Sequence, residues 1–487
     1  MNSWKRIVLA CASLLALWVA PTGVASAQVR VTAATPASAY QGTLALEVVV
    51  TGSGFNPSAN VQYFVSGTTN PGGITVRNVR FTSSSELVTT IDVAADAVMA
   101  YYDIQVTLDS GRKGKGTTLF SVRSRTTGTD SYYSQNLGTL PGDKYSDAWD
   151  VNAAGNVVGR SYGNAVKAFY WAGTMYRLPE STAARDTPPY TVAWDVEATG
   201  ISNGPGEIAV GYEDRMICDS SGGPCNHEQY AVFWAGALSK SPAAVRLDAV
   251  PGSANGINPA GSIAVGSGGG QAGVLWRREG DIWVRSIIPL SAFVCGACEY
   301  DWGGAWDAND AGIIVGFVSR KADYLQFAYV YDTRTAVGRV LPVPPGYLHS
   351  NAYSIGNVVD GRVSVAGVVS PCLDNGTPCD TERGIQWTVD VSSLQVSFEI
   401  LDQMAWAECV TDQGAVAGTH NSERSRRGAI TQTAVLWKQQ SGYVLLKPTS
   451  GSDSTSRGMA AGSNGTTFVV GAVNAKGSWT AARWVIP

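Results

Sequence analysis

The sequence predicts an all-β protein, a two-sheet sandwich followed by a seven-bladed β-propeller. Three observations point there. Charged residues make up only 15% of the 487 positions, against about 25% in ordinary globular chains. Glycine is abundant at 55 residues, and each glycine inside a helix costs roughly 1 kcal/mol relative to alanine, which argues against long helices. A glycine-terminated motif also recurs through the last three-quarters of the chain. Disorder is excluded by an apolar share of 45% together with 15 Trp and 20 Tyr.

Residues 1–27 read as an export leader. Lys5 and Arg6 precede a nearly unbroken apolar run over 7–20, and Ala25, Ser26 and Ala27 supply the small-residue cleavage pattern, so the mature chain is expected to begin at Gln28. Cys11 lies too early in the apolar run to serve as a lipid-anchored cysteine. No later stretch approaches the ~20 apolar residues a membrane helix needs. The expected protein is secreted, periplasmic or extracellular, and monomeric. Its 35 basic and 39 acidic residues, without a basic stripe, exclude nucleic acid as a natural partner.

Cysteine placement fits an oxidising compartment. Cys218 with Cys225 and Cys372 with Cys379 share one spacing and a Gly-x-Pro ending, so each pair is expected to staple a loop. Cys295 and Cys298, in CGAC, are expected to form a tight structural disulfide. A redox site would need a strand–helix context and a zinc site a second ligand pair, and neither is present. Cys409 is expected to be a buried thiol.

The mature chain divides in two. No Trp occurs between Gln28 and Arg125, and all later ones lie at or beyond Trp149. Residues 28–123 carry alternating strands (LALEVVVTG, NVQYFVSG, ITVRNVRFT, YYDIQVTLD) separated by turn clusters; about seven strands in that length suit a sandwich. The run TPASAYQGTLALEVVVTGSGFNPSANVQYF, with ELVTTIDV, YDIQVTL and LFSVR, resembles the IPT/TIG branch of immunoglobulin-like domains. That resemblance implies an Ig-like fold here. Lacking the Cys and Trp signature of antibody-type domains, the core is expected to rest on aliphatic packing alone. Residues 124–132 read as a Ser/Thr/Gly linker, and 133–487 as the propeller.

SDAWDVNAAGNVVG in the first repeat aligns with six later segments whose closing glycines are Gly211, Gly266, Gly316, Gly367, Gly418 and Gly471. Counted from Gly159, the separations are 52, 55, 50, 51, 51 and 53 residues. Each is followed by an apolar strand ending at Trp171, Trp234, Trp276, Tyr331, Trp387, Trp437 or Trp484. With a further strand per repeat, this period matches propeller blades. The last repeat stops one strand short at Pro487, and the strand beginning at Tyr133 is unassigned, so that strand is expected to complete the last blade and remove an open edge. LGTLPG at Leu137, SDAWDVNAAGNVVG and AFYW resemble the HAF family of probable extracellular repeats, which implies an exported β-rich repeat protein and carries no catalytic residue with it.

Within each repeat the first connector is a short Asn/Asp/Gly turn. The second varies, placing 10 to 23 residues between the closing glycine and the aromatic marker. The variable side is therefore expected to bind. Residues expected around the channel mouth on that side are Trp149, Asp150, Trp306, Asp307, Tyr353 and Trp406 from first strands, with Trp194 in the less certain second repeat, and Arg160, Tyr212, Phe317 and His420 from second-strand ends. Two roles fit these aromatics: faces for stacking a sugar beside charged partners, or wedges between blades. Strand alternation predicts that Trp149 and Asp150 point to opposite faces. The second Trp series reads as structural.

Candidates for catalysis are His349, Tyr353, His420 and Arg424, a set able to abstract a proton and neutralise a uronate in a lyase. His227, Arg426 and Arg427 sit in neighbouring loops. DANDAG, from Asp307, fails as a calcium loop, and no cofactor or metal motif is present. Three function classes remain: a non-catalytic module recognising a glycan or a cell-surface protein, a polysaccharide-degrading enzyme, and a cell-surface scaffold.

Overall fold

The computed structural model describes residues 28–487 apart from 44, 95–96, 99, 124–130, 182–190, 205, 218–225, 294–298, 372–381, 422–430 and 440–441. Among these residues only two short 3-10 turns, Leu290–Ala292 and Ser463–Gly465, interrupt an otherwise all-β chain. No helix among them is long and apolar enough to cross a membrane. The chain divides into two compact units after Arg123.

The first unit holds two four-stranded sheets, one more strand than the sequence suggests. One orders Arg30–Thr35, Leu46–Ser53, Glu86–Val93 and Ile74–Ser83; the other orders Ser38–Tyr40, Lys113–Arg123, Tyr101–Thr107 and Asn60–Val65. The core is not purely aliphatic, and this corrects the sequence reading. Tyr63, Tyr102 and Phe120 are buried among Val48, Leu87, Ile91 and Ile104. The two tyrosine hydroxyls find partners inside, Tyr63 with Thr89 at 2.9 Å and Tyr102 donating to the Gly72 carbonyl at 2.7 Å. A buried phenol so satisfied contributes area without an orphaned polar atom.

The second unit is a β-propeller built from consecutive four-stranded antiparallel repeats. Its first strands are Tyr145–Val151, Thr191–Ile201, Ser253–Ile257, Tyr300–Ala308, His349–Ile355, Trp406–Val410 and Asp453–Ala461. Consecutive first strands touch, and that of repeat 7 touches that of repeat 1. Gln135–Gly138 pairs with Ser478–Ile486 of repeat 7, with Gln135 opposite Arg483. The expected linker contributes structure of its own, because Ser131–Tyr133 adds in parallel to the outer strand Gly442–Lys447 of repeat 6.

Every first strand carries a β-bulge at the same place. The ladder skips one residue between Ala148 and Asp150, Ala198 and Gly200, Ala254 and Gly256, Ala305 and Asp307, Ala352 and Ser354, Ala407 and Cys409, and Ser456 and Gly458. A bulge swings the carbonyl before it toward the partner strand, and the repeat's closing glycine lies directly there. A Cβ on Gly316 would stand 2.0 Å from the Gly304 carbonyl oxygen, and one on Gly266 1.7 Å from that of Ser253. The recurring glycine and the bulge are one device.

The turn after the first strand locks neighbouring repeats. Asn309 Oδ1 accepts the amides of Ala311 and Ile313 while its Nδ2 donates to the Gly356 carbonyl of the next repeat at 3.0 Å. Asn152 and Asn258 make the same double use of their amides, reaching Glu207 and Asp310. The Trp series at third-strand ends is buried, and Trp234, Trp387 and Trp484 donate their indole N–H to backbone carbonyls at the close of the preceding repeat, at 2.7–3.0 Å.

Candidate functional site

The bulges decide what faces the axis. Skipping a residue breaks the period-two alternation of a strand, so the bulged side chain and its successor no longer point to opposite faces. The seven bulged residues are Trp149, Thr199, Asn255, Trp306, Tyr353, Glu408 and Arg457, one per repeat. All seven line a single central cavity of about 880 Å³. Asp150 and Asp307, which follow the bulged Trp residues, line it too, so the expected opposition of Trp149 and Asp150 is corrected.

Repeats 1 and 4 share the Trp-Asp pair at these positions. Each carboxylate reaches across to the next repeat: Asp150 accepts the Ile201 amide at 2.9 Å and Asp307 the Ile355 amide at 3.0 Å, each also accepting its successor's amide at 2.8 Å. Room for them comes from glycines in the preceding repeats, where a Cβ on Gly458 would lie 2.7 Å from Asp150 Cα and one on Gly256 2.4 Å from the Trp306 carbonyl oxygen. Burial pushes Asp150 up to about 7, with the nearby Asp307 charge adding to it and the two amides opposing. Burial likewise pushes Asp307 up to about 6 against the amides of Ile355 and Ala308 and the Ser354 hydroxyl. Both residues line the cavity, and the crowded strand walls strip much of the hydration of their carboxyls.

Two arginines enter the wall, each held by acids. Arg160 donates to Asp147 at 2.9 Å and Glu197 at 2.8 Å; burial works against its charge, and the two carboxylates more than offset that, raising it. Arg457 donates to Glu408 at 2.6 Å. Burial raises the Glu408 carboxyl, and Arg457, Thr419 and Ser456 oppose the rise. The two guanidinium carbons lie 5.4 and 5.1 Å from the Trp149 ring centre, so both stack on that indole. Tyr212 hydrogen-bonds Glu197, and burial followed by that carboxylate raises its hydroxyl.

Trp306 has different neighbours. Phe317, at the position equivalent to Arg160, stacks on it at 6.3 Å and 29°, and Tyr353 meets it edge-on at 6.3 Å. Phe317 itself is buried between Trp302 and Trp306 and does not line the cavity. Trp406 lines it but stands two residues before the bulge, its indole N–H donating to Glu382 at 2.6 Å; the true counterpart of Trp149 in repeat 6 is Glu408. In repeat 2 that counterpart is Thr199, not Trp194, whose side chain lies outside the described residues.

The catalytic set is not assembled among the described residues. Tyr353 lines the cavity, whereas His349 and His420 do not. His420 Nδ1 lies 2.8 Å from the Gln403 carbonyl, to which it donates when it carries the proton. Arg424, Arg426 and Arg427 lie outside the described residues, as do the side chain of His227 and the pairs Cys218–Cys225, Cys295–Cys298 and Cys372–Cys379. Cys409 is a buried free thiol, and no metal-holding cluster occurs among the described residues. Sequence reasoning missed Thr199, Asn255, Glu408 and Arg457. The signal that finds them is the small residue two places before the bulge's end, opposite the closing glycine in each repeat.

No family model matches the chain, and no curated protein matches it. Among solved structures it is similar to Trypanosoma rangeli sialidase in complex with the inhibitor DANA, at 8% identity over 78% of this chain and 57% of that one, with a TM-score of 0.33. It is also similar to Penicillium chrysogenum α-L-arabinanase complexed with arabinobiose, at 9% identity over 73% of this chain and 97% of that one, TM-score 0.32. A third is Bombyx mori GH32 β-fructofuranosidase, at 10% identity, 73% and 90% coverage and TM-score 0.26. The chain spans a little over half the length of the sialidase.

Proposed function

We propose that this is a secreted, non-catalytic recognition protein that binds a glycan in the central channel of a seven-bladed propeller. In this reading Gln135–Gly138 closes the ring, an Ig-like domain of IPT/TIG type precedes it, and the blades are HAF-like repeats. The ring closure is supported by the Gln135–Arg483 ladder and by the contact between first strands of repeats 7 and 1.

The observation that carries the binding reading is the ring of bulges, which sends seven side chains to one level of one cavity. Sugars present C–H faces and hydroxyl edges, and they are held by aromatic faces with amide and hydroxyl groups around them. Trp306 and Tyr353 supply the first, and Asn203, Gln229, Asn255, Asn357 and Thr199 the second. A cavity of about 880 Å³ falls within the usual size of ligand sites. The test is a glycan array followed by calorimetry on the full chain. A specific oligosaccharide is expected to bind, and Trp306→Ala and Tyr353→Ala each to weaken it about tenfold or more. Absence of any binding glycan, or unchanged affinity in both variants, overturns the reading.

A second reading rests on the two carboxyls raised toward neutrality in the same cavity. A protonated Asp150 able to act as general acid would favour a glycan-cleaving enzyme. Release of new reducing ends from the bound oligosaccharide, abolished by Asp150→Asn, would replace the first reading with this one.

A further inference from the structure

Repeats 1 and 4 carry the same Trp-Asp pair on the same bulge, yet only one of them is supplied with cations. In repeat 1 the indole of Trp149 is covered by Arg160 from its own second strand and by Arg457 from the bulge of the preceding repeat. The matching positions around Trp306 are Phe317 in its own second strand and Asn255 on the preceding bulge. Neither carries charge. Asn255 instead donates to the Ala305 carbonyl at 2.9 Å, and Phe317 stacks behind the indole.

The charge of the whole cavity is lopsided in the same sense. Its lining includes five carboxylates, Asp150, Glu197, Asp307, Glu408 and Asp412, against the two guanidiniums of Arg160 and Arg457. Both guanidiniums are already engaged by acids. Among the described residues Asp307 is met by backbone amides and the Ser354 hydroxyl, with no basic group as a partner. An anionic ligand would face net repulsion in such a channel, whereas a cation beside Trp306 would gain both a ring face and a carboxylate.

We propose that the repeat-4 side of the channel, formed by Trp306, Tyr353 and Asp307, binds the ammonium group of an amino sugar, taking from the ligand the cation that repeat 1 supplies from its own chain. This deepens the glycan reading and rests on it. The sugar ring lies against Trp306 and Tyr353, and its ammonium group points at Asp307. A neutral N-acetylated sugar fits the same walls but leaves that carboxylate without a counter-charge.

The full chain is titrated by calorimetry with glucosamine oligomers, with their N-acetylated counterparts, with galacturonate oligomers, and with choline as a cation that is not a sugar. Glucosamine oligomers are expected to bind about tenfold or more tighter than the acetylated series. The preference should grow between pH 5 and pH 7 as Asp307, pushed up to about 6, and Asp150, pushed up to about 7, ionise. Glu197, Glu408 and Asp412 line the same space; the first two are ion-paired to Arg160 and Arg457, and burial raises Glu408 as well, so the comparison of Asp307→Asn with the native chain isolates the Asp307 contribution. Asn255→Arg, which gives repeat 4 the cation repeat 1 has, is expected to abolish the preference, read as the ratio of the two affinities. Asp307→Asn should do the same, with the thermal midpoint of each variant recorded to establish that it is folded.

Equal affinity for acetylated and free-amine oligomers, or preference for galacturonate, overturns the inference and leaves the glycan reading standing. Binding of choline without any sugar overturns the glycan reading and supports the cation site alone.

Discussion

Two rings of residues run around the axis of the second unit, a few positions apart on the same first strands, and they follow opposite rules. At the turn ring Asn152, Asn258 and Asn309 repeat one arrangement, each capping its own turn and bonding to the next repeat. At the bulge ring the backbone is equally constant, but the seven side chains are Trp, Thr, Asn, Trp, Tyr, Glu and Arg. In these three repeats one residue type in one slot carries the frame, while small residues, Ser202, Gly356, Thr411 and Gly462, open the corresponding turns of the other four. A fixed slot filled differently each time is where the frame is indifferent to the side chain, and a ligand is free to choose it.

The sharpest way to break that distinction is to attack the backbone device that makes both rings. Gly316→Ala places a methyl group 2.0 Å from the Gly304 carbonyl oxygen, a contact no side-chain rotation relieves, because both atoms belong to ladder-paired backbone. Losing the bulge would shift the register of Tyr300–Ala308 and turn its buried face outward. The loss expected is more than about 4 kcal/mol, read as failure to give a cooperative denaturant transition. A folded variant with near-native stability would show that the bulge is a consequence of something other than the glycine.

One step down in size is the turn ring. Asn309 is fully buried and its amide serves two repeats at once. Asn309→Ala leaves two turn amides and the Gly356 carbonyl without their partners, which costs about 1–3 kcal/mol in a buried site. Thr199→Ala at the bulge ring removes a hydroxyl whose acceptors are backbone carbonyls already within the sheet, and the expected loss is below about 1 kcal/mol. Chemical denaturation of the pair measures the contrast. Equal losses would erase the division between frame and slot.

Much of this was legible in the residues. The period, the closing glycines, the short Asn-Gly turns and the buried Trp series follow from composition and spacing, because each is demanded in every repeat by the same local geometry. The bulge escaped notice because alternation assumes an unbroken ladder, and one inserted residue reverses which side chains face the channel. That error set Trp149 against Asp150, whereas Trp406 stood in for Glu408 because repeat 6 was aligned two residues early, and Phe317 packs against Trp302 and Trp306 where the equivalent Arg160 reaches the channel. In repeats 1 and 4 the first-strand Ala lies eleven residues before its closing glycine, and the same spacing in repeat 6 picks out Ala407 rather than Ala405 as the residue opposite Gly418. His349 and His420 stay outside the cavity lining for a different reason: they are close to channel residues in sequence, and proximity along a strand says nothing about facing.

The subtlest contrast is electrostatic. Asp307 directly follows the bulged Trp306 but bonds across repeats as the turn ring does, so it tests whether a channel-lining residue beside the slot also bears on stability. Its carboxyl is raised from 3.8 to about 6 by burial, so the folded protein holds a proton there that the unfolded chain has released. Stability from this group is greatest in acid, falls as pH rises through the ordinary carboxylate value toward 6, and is level above that. Asp150, raised to about 7, extends the same decline by one further unit. Other carboxylates held below their ordinary values act in the opposite sense, Asp390 at about 2 among them, so the net curve alone is uninformative and the comparison must be with a variant. Asp307→Asn loses one backbone hydrogen bond at every pH, which offsets its curve uniformly, but it cannot ionise. The difference in unfolding free energy between the native protein and the variant is therefore expected to shrink from pH 4 to about pH 6 and to level off above that. A difference that stays constant across that range would mean that Asp307 is solvated well enough to ionise freely, and would move it from the frame to the slot.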